Sequence, residues 1–368
     1  MKPTPVAIVA ADTHLDHLIW RSRPEIVQDS LYGFEQLVEA SNKRRLPLIL
    51  AGDCWECLPI NAPHVTCLGS VSKSLDKLAQ PMYYISGQHD ERVNTYDYFQ
   101  ITKHHHNTVE DRDGSLLELG GLKIWFMSWR PGYILEEVIA SAPEDADVVI
   151  SHQVWSEGMG GINCEGSIKG LPGKLVISGD YHQFKAAVVK REDGSKMRFV
   201  SPGATHMRKI NEPAEHYYLT LYSDATVKRT PLKSRVVIED TLENERDFEE
   251  LYAELPKLLA EAEEMASELP LNLQTPLLAI SDTSGLPKVE SRIKDVVTDR
   301  VHLFYNRIAT TPPSQLANKT APSEQSLTEY AEIEIGDDKQ VSDLILPLLT
   351  SDNIRDQIEI YRNLMLRS

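Results

Sequence analysis

Five apolar runs along the first half of the chain end in residues that can hold metals or move protons. Val6–Ala11 runs into Asp12-Thr13-His14, and Leu46–Ala51 into Gly52-Asp53. Met82–Ser86 is followed by Gly87-Gln88-His89-Asp90, Val148–Ser151 by His152, and Leu175–Ser178 by Gly179-Asp180-Tyr181-His182. Together these supply carboxylates, imidazoles and one amide. A mixed oxygen and nitrogen set suits manganese, iron or zinc better than a thiolate-selective metal. One Asp or His after a strand is ordinarily a turn residue or a helix cap. Five such endings in succession point instead to a metal centre.

The elements that must position these residues are legible as well. Short continuous apolar runs spaced by helical patterns predict strands buried on both faces. Ile26 to Ala40 reads as a helix with Leu31, Phe34, Leu37 and Val38 on one face. In an open α/β sheet, sites form beyond the carboxyl ends of the strands, so five strands would bring their terminal residues to one point. Gly52, Gly87 and Gly179 are expected to let the backbone turn sharply there. Ala186–Lys190, Met197–Val200 and Tyr217–Tyr222 are expected to close a mixed sheet in series. Beyond residue 230 the composition shifts. Asp247 to Glu268 reads as an acidic, solvated helix with a break at Pro256. Pro276–Ser281, Lys288–Asp299 and Val301–Ile308 follow as strand, helix and strand.

At 368 residues the chain suits two domains plus an appendage, and 41% hydrophobic with 25% charged residues is ordinary for a folded globular protein. No apolar run reaches the ~18–20 residues a membrane span needs. The N-terminal apolar stretch is too short for a secretory leader, and four cysteines give no disulfide framework. A cytoplasmic protein without a membrane partner is the expectation. The net charge of −17 disfavours a nucleic-acid partner, but twelve acids against two bases between Glu239 and Glu268 carry −10 of it. Steering of an anionic substrate depends on the local field, so the total does not exclude one.

The series Asp12-x-His14, Gly52-Asp53, Gly87-Gln88-His89-Asp90, His152 and Gly179-Asp180-x-His182 resembles the calcineurin-like metallophosphoesterases. The closer similarity is to the SbcD-type DNA-repair nucleases, through Asp12-Thr13-His14-Leu15, the Pro59–Pro63 region and Val200-Ser201-Pro202-Gly203. The resemblance implies an α/β fold (an α+β sandwich) of four layers, with a phosphoesterase domain over 1–228 and a small α/β capping domain over 229–310. A linker over 311–325 and a C-terminal helical segment over 326–368 would follow. It also implies two divalent ions, manganese being the expected one. Asp12, His14 and His182 would hold the first, Gln88, His152 and Asp180 the second, and Asp53 would bridge them. His89 would be the catalytic residue beside the scissile phosphate. Such paired ions stabilise both the attacking and the leaving oxygen of an in-line displacement.

Two residues depart from the family pattern. Gln88 stands where the family has Asn, and Asp180 where it has the first His of its last motif. Asp180 adds a carboxylate, which favours harder cations. The role of Glu56 is open, since relatives have Asp or His there. The implied activity is that of a DNA nuclease subunit, exonuclease or endonuclease, with DNA, an SbcC-type ATPase and a second copy of itself as partners. A small-molecule phosphodiesterase or phosphatase, and a degenerate binding subunit, are the alternatives. Cys54 and Cys57 are expected to be buried thiols, and His104–His106 an exposed loop. Ile354, Ile358, Tyr361 and Met365 form an apolar stripe suited to helix-in-groove binding of a partner.

Overall fold

The apolar runs form strands because both of their faces are covered. The computed structural model describes residues 2–15, 26–56, 65–91, 109–159, 164–191, 193–208, 212 and 214–308. One six-stranded sheet contains β1 (Pro5–Ala10), β2 (Leu48–Ala51), β3 (Met82–Ile85), β4 (Val109–Asp111), β11 (His216–Tyr222) and β12 (Val227–Leu232), in the order β12-β11-β1-β2-β3-β4. A second contains β5 (Leu116–Leu119), β6 (Leu122–Met127), β7 (Val148–His152), β8 (Leu175–Gly179), β9 (Lys185–Lys190) and β10 (Lys196–Ser201), in the order β5-β6-β7-β8-β10-β9.

Period-two alternation assigns each strand residue to a layer. Ala7, Val9, Ile49, Ala51, Tyr83 and Ile85 face Ile124, Phe126, Val148, Ile150, Leu175 and Ile177 in a core between the sheets. Their neighbours Ile8, Ala10, Leu48, Leu50, Met82 and Tyr84 face the opposite way. They pack on α1 (Val27–Arg44) and α2 (Val65–Asp76) through Leu31, Phe34, Leu37, Val38, Cys67 and Val71. Trp125, Val149, Val176 and Phe199 line the far side of the second sheet, where Leu135 of α4 (Gly132–Ala140) covers them. The result is the expected α/β sandwich of helix, sheet, sheet and helix. α3 (Gln88–Glu91) and α5 (Ser156–Met159) are single turns after β3 and β7.

One expectation is corrected. The strands after Asp180 do not close a single mixed sheet. β9 and β10 stay with β8, whereas β11 crosses to pair antiparallel with β1. The apolar runs record burial on two faces, which two stacked sheets satisfy as well as one sheet flanked by helices.

A third sheet of parallel strands, β13 (Val237–Leu242), β14 (Leu277–Asp282) and β15 (His302–Arg307), has its own core with α6 (Glu245–Ala266) and α7 (Val289–Val297). α6 runs through Pro256 rather than breaking there. Pro256 lies on the exposed face, where water can reach the carbonyl that loses its partner. Buried Leu255 and Leu259 hold the helix on either side. Asn244 caps its start by accepting from the amides of Arg246 and Asp247. Residues 1–307 form one compact unit. The linker, the C-terminal segment, Cys57, Pro59–Pro63 and His104–His106 lie outside the described residues. Cys54 is a buried thiol, and no described helix is long and apolar enough to cross a membrane.

Candidate metal centre

The ends of β1, β2, β3, β7 and β8 meet at one edge of the sandwich, three from the first sheet and two from the second. The loops after β1 and β2 continue the strand ladder past the strands themselves. The amides of Asp12, His14 and Leu15 donate to the carbonyls of Gly52, Asp53 and Cys54, and Glu56 N donates to Leu15 O. Asp12, His14, Asp53 and Asp180 all have positive φ, at 51°, 36°, 47° and 79°. They are half of the eight described non-glycine residues in that region. Backbone strain concentrated in this way marks sites where the surroundings fix the side chains against local preference.

Two of the three glycines act differently from expectation. Gly52 does turn the chain, at φ 82°. Gly87 and Gly179 have no such φ and are needed for space. A Cβ at Gly87 would run into the Asp53 carboxylate, and one at Gly179 into the Ala51 carbonyl and the His152 ring.

Asp12, His14, Asp53 and His152 are fully buried. Three triads of ligand atoms interlock: Asp12, His14 and His182; His14, Asp53 and His89; Asp12, Asp53 and His152. Within each, the atoms lie within 4.8 Å of one another. His14 Nε2 is 3.8 Å from Asp12 Oδ1 and 3.6 Å from Asp53 Oδ2. His182 Nε2 lies 3.8 Å from Asp12 Oδ1, and His152 Nε2 3.4 Å from Asp53 Oδ2. Asp180 Oδ1 is 4.0 Å from His152 Nε2 and accepts a hydrogen bond from Gln88 Nε2. The Asp180 amide in turn donates to both oxygens of Asp12. All eight residues singled out in the sequence therefore stand within one cluster. Asp12, His14 and Asp53 each belong to two of the triads.

The donor set fits divalent ions. Asp53 Oδ2, His152 Nε2 and Gln88 Oε1 are buried and make no well-aligned hydrogen bond, the first two facing each other as an ion pair at 3.4 Å. Buried polar atoms without partners are costly and uncommon, unless something else satisfies them. Asp53 Oδ2 and Gln88 Oε1 are lone-pair donors, His152 Nε2 becomes one when it gives up its proton, and all three sit among further carboxylates and imidazoles. Charge is finely balanced. Burial pushes the Asp12 carboxyl up to about 6, against the pull of His152 and His182. Burial also opposes ionisation of Asp53, but His152 and His89 outweigh it and hold the carboxyl below its ordinary value. His152 is raised well above the ordinary imidazole range, because Asp53, Asp12 and Asp180 overcome its burial.

Four supporting residues were not assigned roles from the sequence. Asp90 accepts from the amides of Gly87, Cys54 and Trp55, which ties the β2 and β3 loops together. Burial, then nearby Asp53, pushes its carboxyl up to about 7. Glu56 resolves into a clamp: its carboxylate lies 2.8 Å from His14 Nδ1 and 3.0 Å from His89 Nδ1, and accepts from Arg208 Nη2 at 2.8 Å. Glu212 lies 2.6 Å from His182 Nδ1 and accepts from the Arg208 amide at 2.7 Å. Asp90 and Glu56 were in view within the motifs. Arg208 and Glu212 come from a loop with no periodic pattern and no motif.

Arg208 has a direct consequence for metal loading. A carboxylate only accepts and a guanidinium only donates, so His182 carries its proton on Nδ1, toward Glu212. Its bare Nε2 accepts from Arg208 Nη1 at 2.7 Å. A cation bound by Asp12, His14 and His182 needs that same lone pair. Arg208→Gln is therefore expected to strengthen manganese binding at this triad about tenfold, the worth of roughly one charge-assisted hydrogen bond. Calorimetric titration measures it, and weaker binding would mean that Arg208 serves to hold His182 in place.

No family model and no curated protein matches the chain. Among solved structures, it is similar to one described as a novel archaeal phosphodiesterase, with 16% identity and a TM-score of 0.37 over 62% of this chain and 99% of that one. A second solved structure aligns at 9% identity and a TM-score of 0.39, over 63% of this chain and 100% of that one. At these values what the chain does has to be read from the site itself.

Proposed function

We propose that the chain is a divalent-metal-dependent phosphodiesterase that cuts DNA, as an SbcD-like nuclease subunit. The observation that carries this is the set of three interlocking Asp and His triads, with Asp53 Oδ2 and His152 Nε2 buried and 3.4 Å apart at their centre. Asp12, His14 and His182 would hold one ion, and His152, Gln88 and Asp180 the other, with Asp53 between them. Two bound ions, manganese on this reading, supply activation of water and charge neutralisation for an in-line displacement at phosphorus.

The chain's own groups do the remainder. Glu56 fixes the Nδ1 side of His14 and His89, so that both present Nε2 toward the cluster. The His89 side chain is 19% exposed, which opens it to a substrate. A protonated Nε2 there can give its proton to the leaving oxygen, and the nearby Glu56 carboxylate balances the charge. Asp90 keeps the loops that carry Asp53 and His89 in register. DNA as substrate is supported by the resemblance of Asp12-Thr13-His14-Leu15 to the nuclease motif. On the same reading residues 229–310 cap the site, and the segment 326–368 docks an SbcC-type ATPase.

A second reading, a degenerate subunit that binds without cutting, is favoured by the contact of Arg208 on His182 and by the pairing of Gln88 with Asp180. Hydrolysis separates the two. The expected result is cleavage of DNA and of a small aryl phosphodiester with manganese, stopped by chelation. Binding of manganese without hydrolysis of either would leave the degenerate reading.

A further inference from the structure

The acidic total conceals a basic segment. Gln183 to Arg235 contains eleven Lys and Arg against five Asp and Glu, a net of +6 in a chain of −17. We propose that the exposed shelf built by part of this segment, on β9 and β10, is a track for a single strand of nucleic acid leading to the metal centre.

Register places the charges. β9 is the edge strand of its sheet, and its pattern alternates between covered and exposed residues. Ala186, Val188 and Lys190 share one face, opposite Val200, Arg198 and Lys196 of β10. That face belongs to the inside of the sandwich, where Val200 joins the core between the sheets. The turn between β11 and β12 reaches it only at Arg198, whose Nη2 donates to Ala225 O at 2.7 Å, and Val188 is left 66% exposed. The shelf therefore has a floor of small apolar side chains bordered by Lys190, Lys196 and Arg198.

Its near end lies at the metal centre. β9 begins three residues after His182. Phe184 and Tyr217 meet there with ring centroids 5.7 Å apart. The Arg229 guanidinium lies over both rings, at 4.8 and 4.9 Å. A guanidinium seated against two aromatic rings is held in place by them and still offers N–H donors, which suit a phosphate. Lys185 faces the other side of the sheet, so the shelf's charges stand at its two ends: Arg229 near His182, and Lys190 and Lys196 about 17 Å along the strand, a span of a few nucleotides.

Lys190 and Lys196 are cross-strand partners. Like charges directly opposite are destabilising in a β-pair. An anion bound between them removes that cost. Edge lysines also guard a sheet against edge-to-edge pairing, and the test has to distinguish the two roles.

The proposal rests on the phosphodiesterase reading only for where the strand leads. Binding is accordingly measured without hydrolysis, as anisotropy of a labelled 20-nucleotide oligothymidylate with chelator present. Lys190→Gln/Lys196→Gln is expected to weaken binding about tenfold at low salt. The slope of log affinity against log salt should fall by about 1.4, at roughly 0.7 per phosphate contact on single strands. Its melting temperature should equal or exceed that of the wild type, since the repulsion is gone, and Lys190→Arg/Lys196→Arg should bind as the wild type does. Unchanged affinity and slope in the Gln variant would overturn the proposal. So would an acidic polypeptide of equal charge that competes as well as the oligonucleotide. A wild-type protein that binds the oligonucleotide but hydrolyses no phosphodiester would sink the phosphodiesterase reading and leave the track standing. Hydrolysis of a small diester without oligonucleotide binding would do the reverse.

Discussion

Asp53→Ala is expected to abolish manganese-dependent phosphodiester hydrolysis, and to do so more completely than any other single change in the cluster. Asp53 Oδ2 is the atom on which the site converges. It lies 3.6 Å from His14 Nε2, 3.9 Å from His89 Nε2 and 3.4 Å from His152 Nε2. Its other oxygen accepts from the His89 amide at 2.9 Å and so positions the residue assigned to proton transfer. Alanine thus removes a shared ligand and frees the His89 backbone in one step. It also leaves His152 buried without its nearest carboxylate, so manganese binding should fall with activity. The check is turnover together with metal content after gel filtration. A variant that kept wild-type turnover would show that the shared-ligand assignment is wrong.

Metal affinity should depend steeply on pH, with a sign fixed by His152 and Asp12. In the metal-free protein the surrounding carboxylates hold the His152 pKa well above the ordinary value, so at pH 7 the imidazole keeps its proton. A cation can use Nε2 only after that proton leaves, and binding therefore releases one proton. Affinity is then expected to rise about tenfold per pH unit while His152 remains protonated, or ~1.4 kcal/mol per unit. Asp12 is ionised at pH 7. Below about 6 it too takes up a proton, and the dependence should steepen toward two protons per binding event. Titration calorimetry in buffers of different ionisation enthalpy counts these protons directly. An affinity that stayed flat between pH 6 and 8 would mean that His152 is neutral and its pairing with Asp53 misread.

Much of the centre was legible because its logic is local. A continuous apolar run followed by a small polar cluster records a strand covered on both faces, with its exit loop at the sheet's edge. Asp12, Asp53, His89, His152 and Asp180 could be found that way without knowing which sheet held each strand. The stacking of two sheets came from the family resemblance and not from the pattern, since Ile49 against one layer and Leu50 against another look the same in sequence whether the layer is a sheet or a helix. The Glu56 clamp was half visible. Glu56 stood in view after Gly52-Asp53, but its partner Arg208 lies 152 residues away. No spacing rule links two residues joined only by tertiary packing. Nor did Gly87 and Gly179 reveal their reason, because a glycine needed for space and one needed for a turn are the same letter. The basic segment from Gln183 to Arg235 was open to simple counting. It was obscured by the chain's total charge and by the acidic helix that follows it.

Anomalous diffraction from crystals grown with manganese tests the central claim most directly, because it counts the ions and locates them among named side chains. Two peaks about 3.5–4 Å apart are expected. Both should border Asp53, one beside His14 and His182 with Arg208 moved off His182 Nε2, the other beside His152 and Gln88. A single peak, or none with Arg208 still seated on His182, would contradict a two-metal phosphodiesterase.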